Sequence, residues 1–175
     1  MSPDLSASYQ KLLMQLNILQ KEFFLKDLLD QTATVYQLSV DGIKAVNQIE
    51  RLMQYWQSQV LLAAQKDAEM LFTDEQLSAL ANLKKQVELL ERQLDNHRGE
   101  LEDLDARQRS LIDNLLKKHQ KDAGSQLLAA ALADFWRQLI EVRTNYVEKR
   151  LTSIVDFVTN IKNNSARPAP ASLAV

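Results

Sequence analysis

The chain's two histidines are the side chains best suited to acid–base or metal chemistry, and neither stands in a spacing that such chemistry uses. His97 has Arg98 and Glu100 beside it, His119 lies among Lys117, Lys118 and Lys121, and the sequence contains no Glu-x-x-His or His-x-x-x-His pair. A di-metal carboxylate bundle needs such pairs on facing helices. His97 is therefore expected to act as a polar residue that fixes helix register, with a pH-sensitive contact as a lesser role. His119 is expected to be solvated or to pair with helix-end carbonyls.

The remaining ionisable clusters read the same way. Glu100, Glu102, Asp103 and Asp105 spread around a helix, where Arg98, Arg107 and Arg109 can meet them at three- and four-residue steps. Lys117, Lys118 and Lys121 complement the negative end of a helix. The three glycines, Gly42, Gly99 and Gly124, each stand alone, so no phosphate-cradling loop can form. Without cysteine there is no thiolate ligand, thiol nucleophile or disulfide. The expectation is a chain with no catalytic residue, no cofactor and no metal site.

The elements around these residues are easier to read. In 175 residues there are only 3 Gly and 3 Pro, against 46% hydrophobic residues. Sheets need turns, so a sheet protein is excluded, and the apolar content is too high for general disorder. The formal charge of −2 offers no field for a phosphate backbone, so nucleic acid is not an expected partner. The longest apolar run, Leu127 to Ala133, falls short of the ~20 residues that span a bilayer as a helix. The N-terminal residues lack the pattern of a signal peptide, which leaves a soluble chain of undetermined compartment.

Helical periodicity dominates. Ser2-Pro3 reads as a helix start, followed by Leu5, Tyr9, Leu12, Leu16, Leu19 and Phe23 at alternating steps of four and three. The same alternation links Leu28, Thr32, Val35, Ser39, Gly42, Val46, Ile49, Met53 and Trp56, passing through Gly42 without a slip. A first helix over about 3–71 follows, possible hinge positions being 39–42. Thr73 and Gln76 form a capping box, with Phe72 and Leu77 placed as a hydrophobic staple, and open a second helix over 74–122. Its packing seam is Leu80, Leu83, Val87, Leu90, Leu94, His97, Leu101, Leu104, Gln108, Leu111, Leu115 and Lys118. Gly99 falls opposite that seam. Ala123-Gly124-Ser125 is expected to end this helix and cap a third over 125–162, whose stripe drifts by one residue near Tyr146, as in a helix that wraps across its neighbours. Residues 164–175 read as a disordered tail.

Helices of ~70 Å and more, at ~1.5 Å per residue, are not stable on propensity alone. The expected fold is all-α: an elongated antiparallel bundle of three very long helices, or four if the chain folds back near Gly42, with coiled-coil-like packing in a single domain over 1–163. The expected function is that of a non-enzymatic scaffold, spacer, adaptor or secretion-apparatus component working through helix–helix contacts, whether by self-association or with partner helices. The alternative is a membrane-active bundle resembling a pore-forming toxin component. It would insert the segment holding Leu127, Leu128, Leu132, Phe135 and Trp136, which joins small residues to an aromatic pair.

Overall fold

The computed structural model describes residues 2–23, 26–66, 72–118 and 123–165. These residues form an all-α bundle. Its helices are α1 (Ser6–Phe23), α2 (Lys26–Lys66), α3 (Asp74–Lys118), α4 (Ala123–Glu141) and α5 (Lys149–Ser165), with a π-helical stretch, Val142–Glu148, joining α4 to α5.

The helix ends follow local chemistry. Before α1, the Ser6 N–H donates to Asp4 Oδ1 at 2.8 Å, so Asp4 takes the capping role expected of Ser2. That backbone N–H holds the Asp4 carboxyl below the usual carboxylate range. The capping box at α3 is fully formed: Gln76 N–H donates to Thr73 Oγ1 at 3.1 Å and Thr73 N–H donates to Gln76 Oε1 at 2.8 Å. Phe72 does not serve as a staple alone, because its ring stands edge-on to Trp56 with centroids 4.9 Å apart.

Two expectations about turns are corrected. The register across Gly42 is kept, the helix continuing unbroken through that buried residue, and the alternative fold-back there does not occur. The chain instead folds back between Phe23 and Lys26, since Tyr9 of α1 stacks on Tyr36 of α2 with centroids 3.9 Å apart and planes 4° from parallel. No Gly, Pro or capping residue marks this reversal. It places α1 beside α2, so the first helix does not run from 3 to 71 as one rod. Gly124 likewise does not close α3: α4 begins at Ala123, and Gly124 lies in its first turn. His119 and Lys121, and the tail beyond Ser165, lie outside the described residues.

Contacts group the chain into two compact units. The first unit is Met1–Ile43 with Gln93–Tyr146, so it contains α1, the first part of α2, the last part of α3, and α4. Its helices run up-down-up-down. Ser8 of α1 donates to Asp134 of α4 at 3.2 Å, and further back along α1's lead-in Ser2 hydrogen-bonds Tyr146, so residue numbers fall on one chain segment as they rise on the other. Leu12, Leu16, Val35, Leu104, Leu128, Leu132, Phe135 and Leu139 form the core. Each such aliphatic or aromatic group gains roughly 1.5–3 kcal/mol by leaving water.

The second unit is Lys44–Arg92 with Val147–Val175. Its buried apolar residues include Val46, Ile49 and Trp56 of α2, Leu83, Val87 and Leu90 of α3, and Leu151 and Ile154 of α5. Arg150 donates to Glu50 at 2.6 Å, closing the α2–α5 edge with charge, and Gln76 donates to Gln59 across the α2–α3 edge.

Gly99 tests the placement of α3. A β-carbon built there meets nothing within 4 Å, so the position is open and helical. Gly99→Ala is expected to raise stability by about 0.5–1 kcal/mol through helix propensity. The check is a higher urea midpoint with an unchanged slope; a lower midpoint would mean that this face of α3 is packed.

Candidate functional site

Three of the buried polar groups gather in one layer of the first unit. His97, on α3, is 5% exposed; Ser39, on α2, is 3% exposed; and Arg143, on the π-helical stretch, is 9% exposed. Each position has a local cause. Ser39 occupies the α2 stripe between Val35 and Gly42, and His97 occupies the α3 seam between Leu94 and Leu101. Arg143 enters the core because the last apolar stripe skips a residue.

That skip accounts for the drift near Tyr146. The stripe runs Leu128, Leu132, Phe135, Leu139, Val142 in steps of four and three, then resumes at Val147, Leu151 and Ile154, all of them buried. The step of five from Val142 to Val147 matches the spacing of a π-helical hydrogen bond, and the π stretch spans those residues. The slip is thus taken up locally over two turns, and not by a gradual wrap of the whole helix. One extra residue in the turn carries Arg143 round toward α3.

The hydrogen bonds of this layer fall in two groups. Ser39 Oγ–H donates to the Val35 carbonyl at 2.9 Å, which uses its only proton. At 3.3 Å from Ser39 Oγ, His97 Nε2 is therefore the donor, and Nδ1 is the basic ring nitrogen, an assignment made from the network. Arg143 Nη2 donates to the Leu94 carbonyl at 2.9 Å, one turn before His97 on the same helix. Burial first, and then the positive charge of Arg143, push the His97 pKa down to about 4. The ring is neutral near pH 7.

Among the described residues, the buried Thr32 hydroxyl on α2, the Trp56 indole N–H and the Gln31 side-chain oxygen make no hydrogen bond. On the α1–α4 edge, Arg137 pairs with Asp134 at 2.8 Å and with Glu141 at 2.9 Å; the Arg137 hydrogen bond holds the Asp134 carboxyl below its ordinary range. These pairs are partly exposed and contribute little.

The seam residues expected on α3 fall as follows. Leu80, Leu83, Val87, Leu90, Leu94, His97, Leu101, Leu104 and Gln108 are buried, and Leu111 is half-buried. The side chains of Leu115 and Lys118 lie outside what is described. Gln108 donates to Asp105 on its own helix at 3.1 Å. In the segment with membrane character, Leu128, Leu132 and Phe135 are core residues, Trp136 is half-buried and Leu127 is exposed. Among the described residues no helix is long and apolar enough to cross a membrane.

The carboxylates of α3 act locally: Asp105 pairs with Arg109 at 3.1 Å, while Glu102 and Asp103 are exposed. Among the described residues, no three His, Asp or Glu side chains are placed to hold a metal ion. The sequence pattern missed Arg143. Its one signal was the stripe slip, which leaves an arginine directly after the last in-register valine. Comparisons with family models, with curated proteins and with solved structures each return no match.

Proposed function

We propose that the chain works without catalysis, as a helical interaction protein that engages helices of a second copy of itself or of a partner protein. The observation that carries this reading is an apolar cluster in the second unit. Leu61 is 61% exposed and Leu62 47%, within two turns of an exposed Tyr55, and exposed Leu77 adjoins Gln76, the residue bonded to Gln59. Single exposed leucines are ordinary, but neighbours on two adjoining helix ends form a patch of the kind that protein contacts cover. The buried histidine and arginine suit this reading, since their hydrogen bonds to Ser39 and to the Leu94 carbonyl join one element of the bundle to another.

Light scattering over a wide concentration range tests it. The mass of the unsubstituted chain is expected to rise above that of a monomer, and Leu61→Gln/Leu62→Gln is expected to shift that rise to at least about tenfold higher concentration, the equivalent of ~1.4 kcal/mol. A strict monomer at every concentration overturns self-association. Release of an entrapped dye from anionic vesicles over a pH series would put the membrane-active reading, with insertion of the Leu127–Trp136 segment, in its place.

A further inference from the structure

The exposed side of α2 in the second unit differs from that of α3. Residues 52–65 carry no charged side chain, whereas α3 exposes Glu88, Glu91, Asp95, Arg98 and Glu102 at steps of three and four. On α2, Arg51, Tyr55, Ser58 and Leu62 are all exposed and follow one another at steps of four, three and four. They form one stripe, turned away from the buried Ile49 and Trp56. Loss of charge around a tyrosine and leucines is the composition of an interface centre, not of a solvated face. Ser58 stands in the middle. Its hydroxyl donates to the Gln54 carbonyl at 3.2 Å, so its one proton is already placed when the stripe is covered. Its small side chain also lets another helix come close. The Tyr55 ring stands edge-on to Trp56 with centroids 6.4 Å apart, which fixes its position and lowers the cost of ordering it on contact.

We propose that the occupant of this stripe is the same stripe of a second copy, the two α2 helices packing antiparallel about a two-fold axis at Ser58. The inference rests on the reading that protein covers the exposed patch, and it names the protein and the register. Reversal about Ser58 carries position 55 onto 61 and position 54 onto 62. Tyr55 of each copy therefore meets the pair Leu61 and Leu62 of the other, and one apolar contact is made twice, as a two-fold interface requires. Charge sets the direction. Arg51 marks one end of the stripe, and the exposed Asp74 and Glu75 open α3 beside the other end, where Gln76 bonds Gln59. Antiparallel packing turns each Arg51 toward Asp74 and Glu75 of the other copy. Parallel packing would set Arg51 against Arg51.

Site-directed cross-linking of the full chain tests the register. The sequence has no cysteine, so Ser58→Cys supplies a single thiol at an exposed position. A short bis-maleimide is expected to join two such chains, and to leave Asp103→Cys, exposed elsewhere on α3, as monomers. Light scattering tests the direction. Arg51→Glu is expected to move association to at least about tenfold higher concentration, and Arg51→Glu/Asp74→Lys/Glu75→Lys to bring it back. If the triple variant does not fold, the cross-link alone decides. A mass that rises with concentration while Ser58→Cys stays unlinked overturns the two-fold pairing and leaves the broader reading standing. A monomer at every concentration overturns the pairing together with self-association, and leaves a different protein as the occupant of the patch.

Discussion

Phe135→Ala is expected to cost about 3–5 kcal/mol of folding stability, and Leu127→Ala, in the same apolar segment, less than about 0.5 kcal/mol. The two differ in how far each is buried. Phe135 is 1% exposed, and its ring lies 5.9 Å from that of Tyr9, which is itself stacked on Tyr36. Truncation leaves a cavity where α4 meets α1 and undercuts the ring pair that joins α1 to α2. Leu127 is 53% exposed and has little to lose. Against a typical total of 5–15 kcal/mol, the first change is enough to unfold much of the population near body temperature. Urea titration of both variants checks the contrast. Equal costs would mean that this segment does not pack as a core stripe, and would favour a role for it outside the bundle.

Acidification from pH 6.5 to about 4 is expected to remove up to about 3 kcal/mol of stability through His97 alone. The sign follows from the direction of its shift. The folded-state pKa, about 4, is below the ordinary value of 6.5, so between these limits the unfolded chain binds a proton that the folded chain refuses. Stability is then at its full value above pH 6.5 and declines by ~1.4 kcal/mol per pH unit as pH falls. Asp4 and Asp134, whose carboxyls are held low, act in a separate window below the ordinary carboxylate value of 3.8. Denaturation free energies at pH 7, 6 and 5 should show the slope in the unsubstituted chain and a flat line in His97→Gln. A flat line in both would place His97 in contact with water.

Much of this fold is legible in the sequence because a buried stripe at steps of four and three leaves little freedom. The α2 series from Leu28 to Trp56 stays in register across Gly42, and the helix does the same. The Thr73–Gln76 capping box is readable from two side chains because both bonds are local. The reversal after Phe23 is not, since Phe23-Phe24-Leu25-Lys26 contains nothing that ends a helix. What decides it is tertiary: α1 gains more by packing its broad apolar face against α2 and α4 than by continuing α2 into solvent. Arg143 was hidden for a related reason. A period of 3.6 assigns it to the polar side, and only the inserted residue at Val142–Val147 turns it inward. That insertion leaves a one-residue slip in the pattern, which a gently supercoiled helix leaves as well. The slip is legible, but its local cause becomes so only when the packing partners are known. His97 stood in the seam on spacing alone, whereas its two neighbours, Ser39 and Arg143, come from helices far away in sequence.

The most direct measurement is the proton–proton Overhauser effect between the aromatic rings of Tyr9 and Tyr36. With α1 folded back on α2, the stacked rings, 3.9 Å between centroids, give strong cross-peaks. In one continuous helix the same rings stand about 40 Å apart, at ~1.5 Å per residue, and give none. Cross-peaks between resolved Tyr9 and Tyr36 signals are the expected result; their absence in the folded chain would contradict a bundle that covers its own leucine stripes.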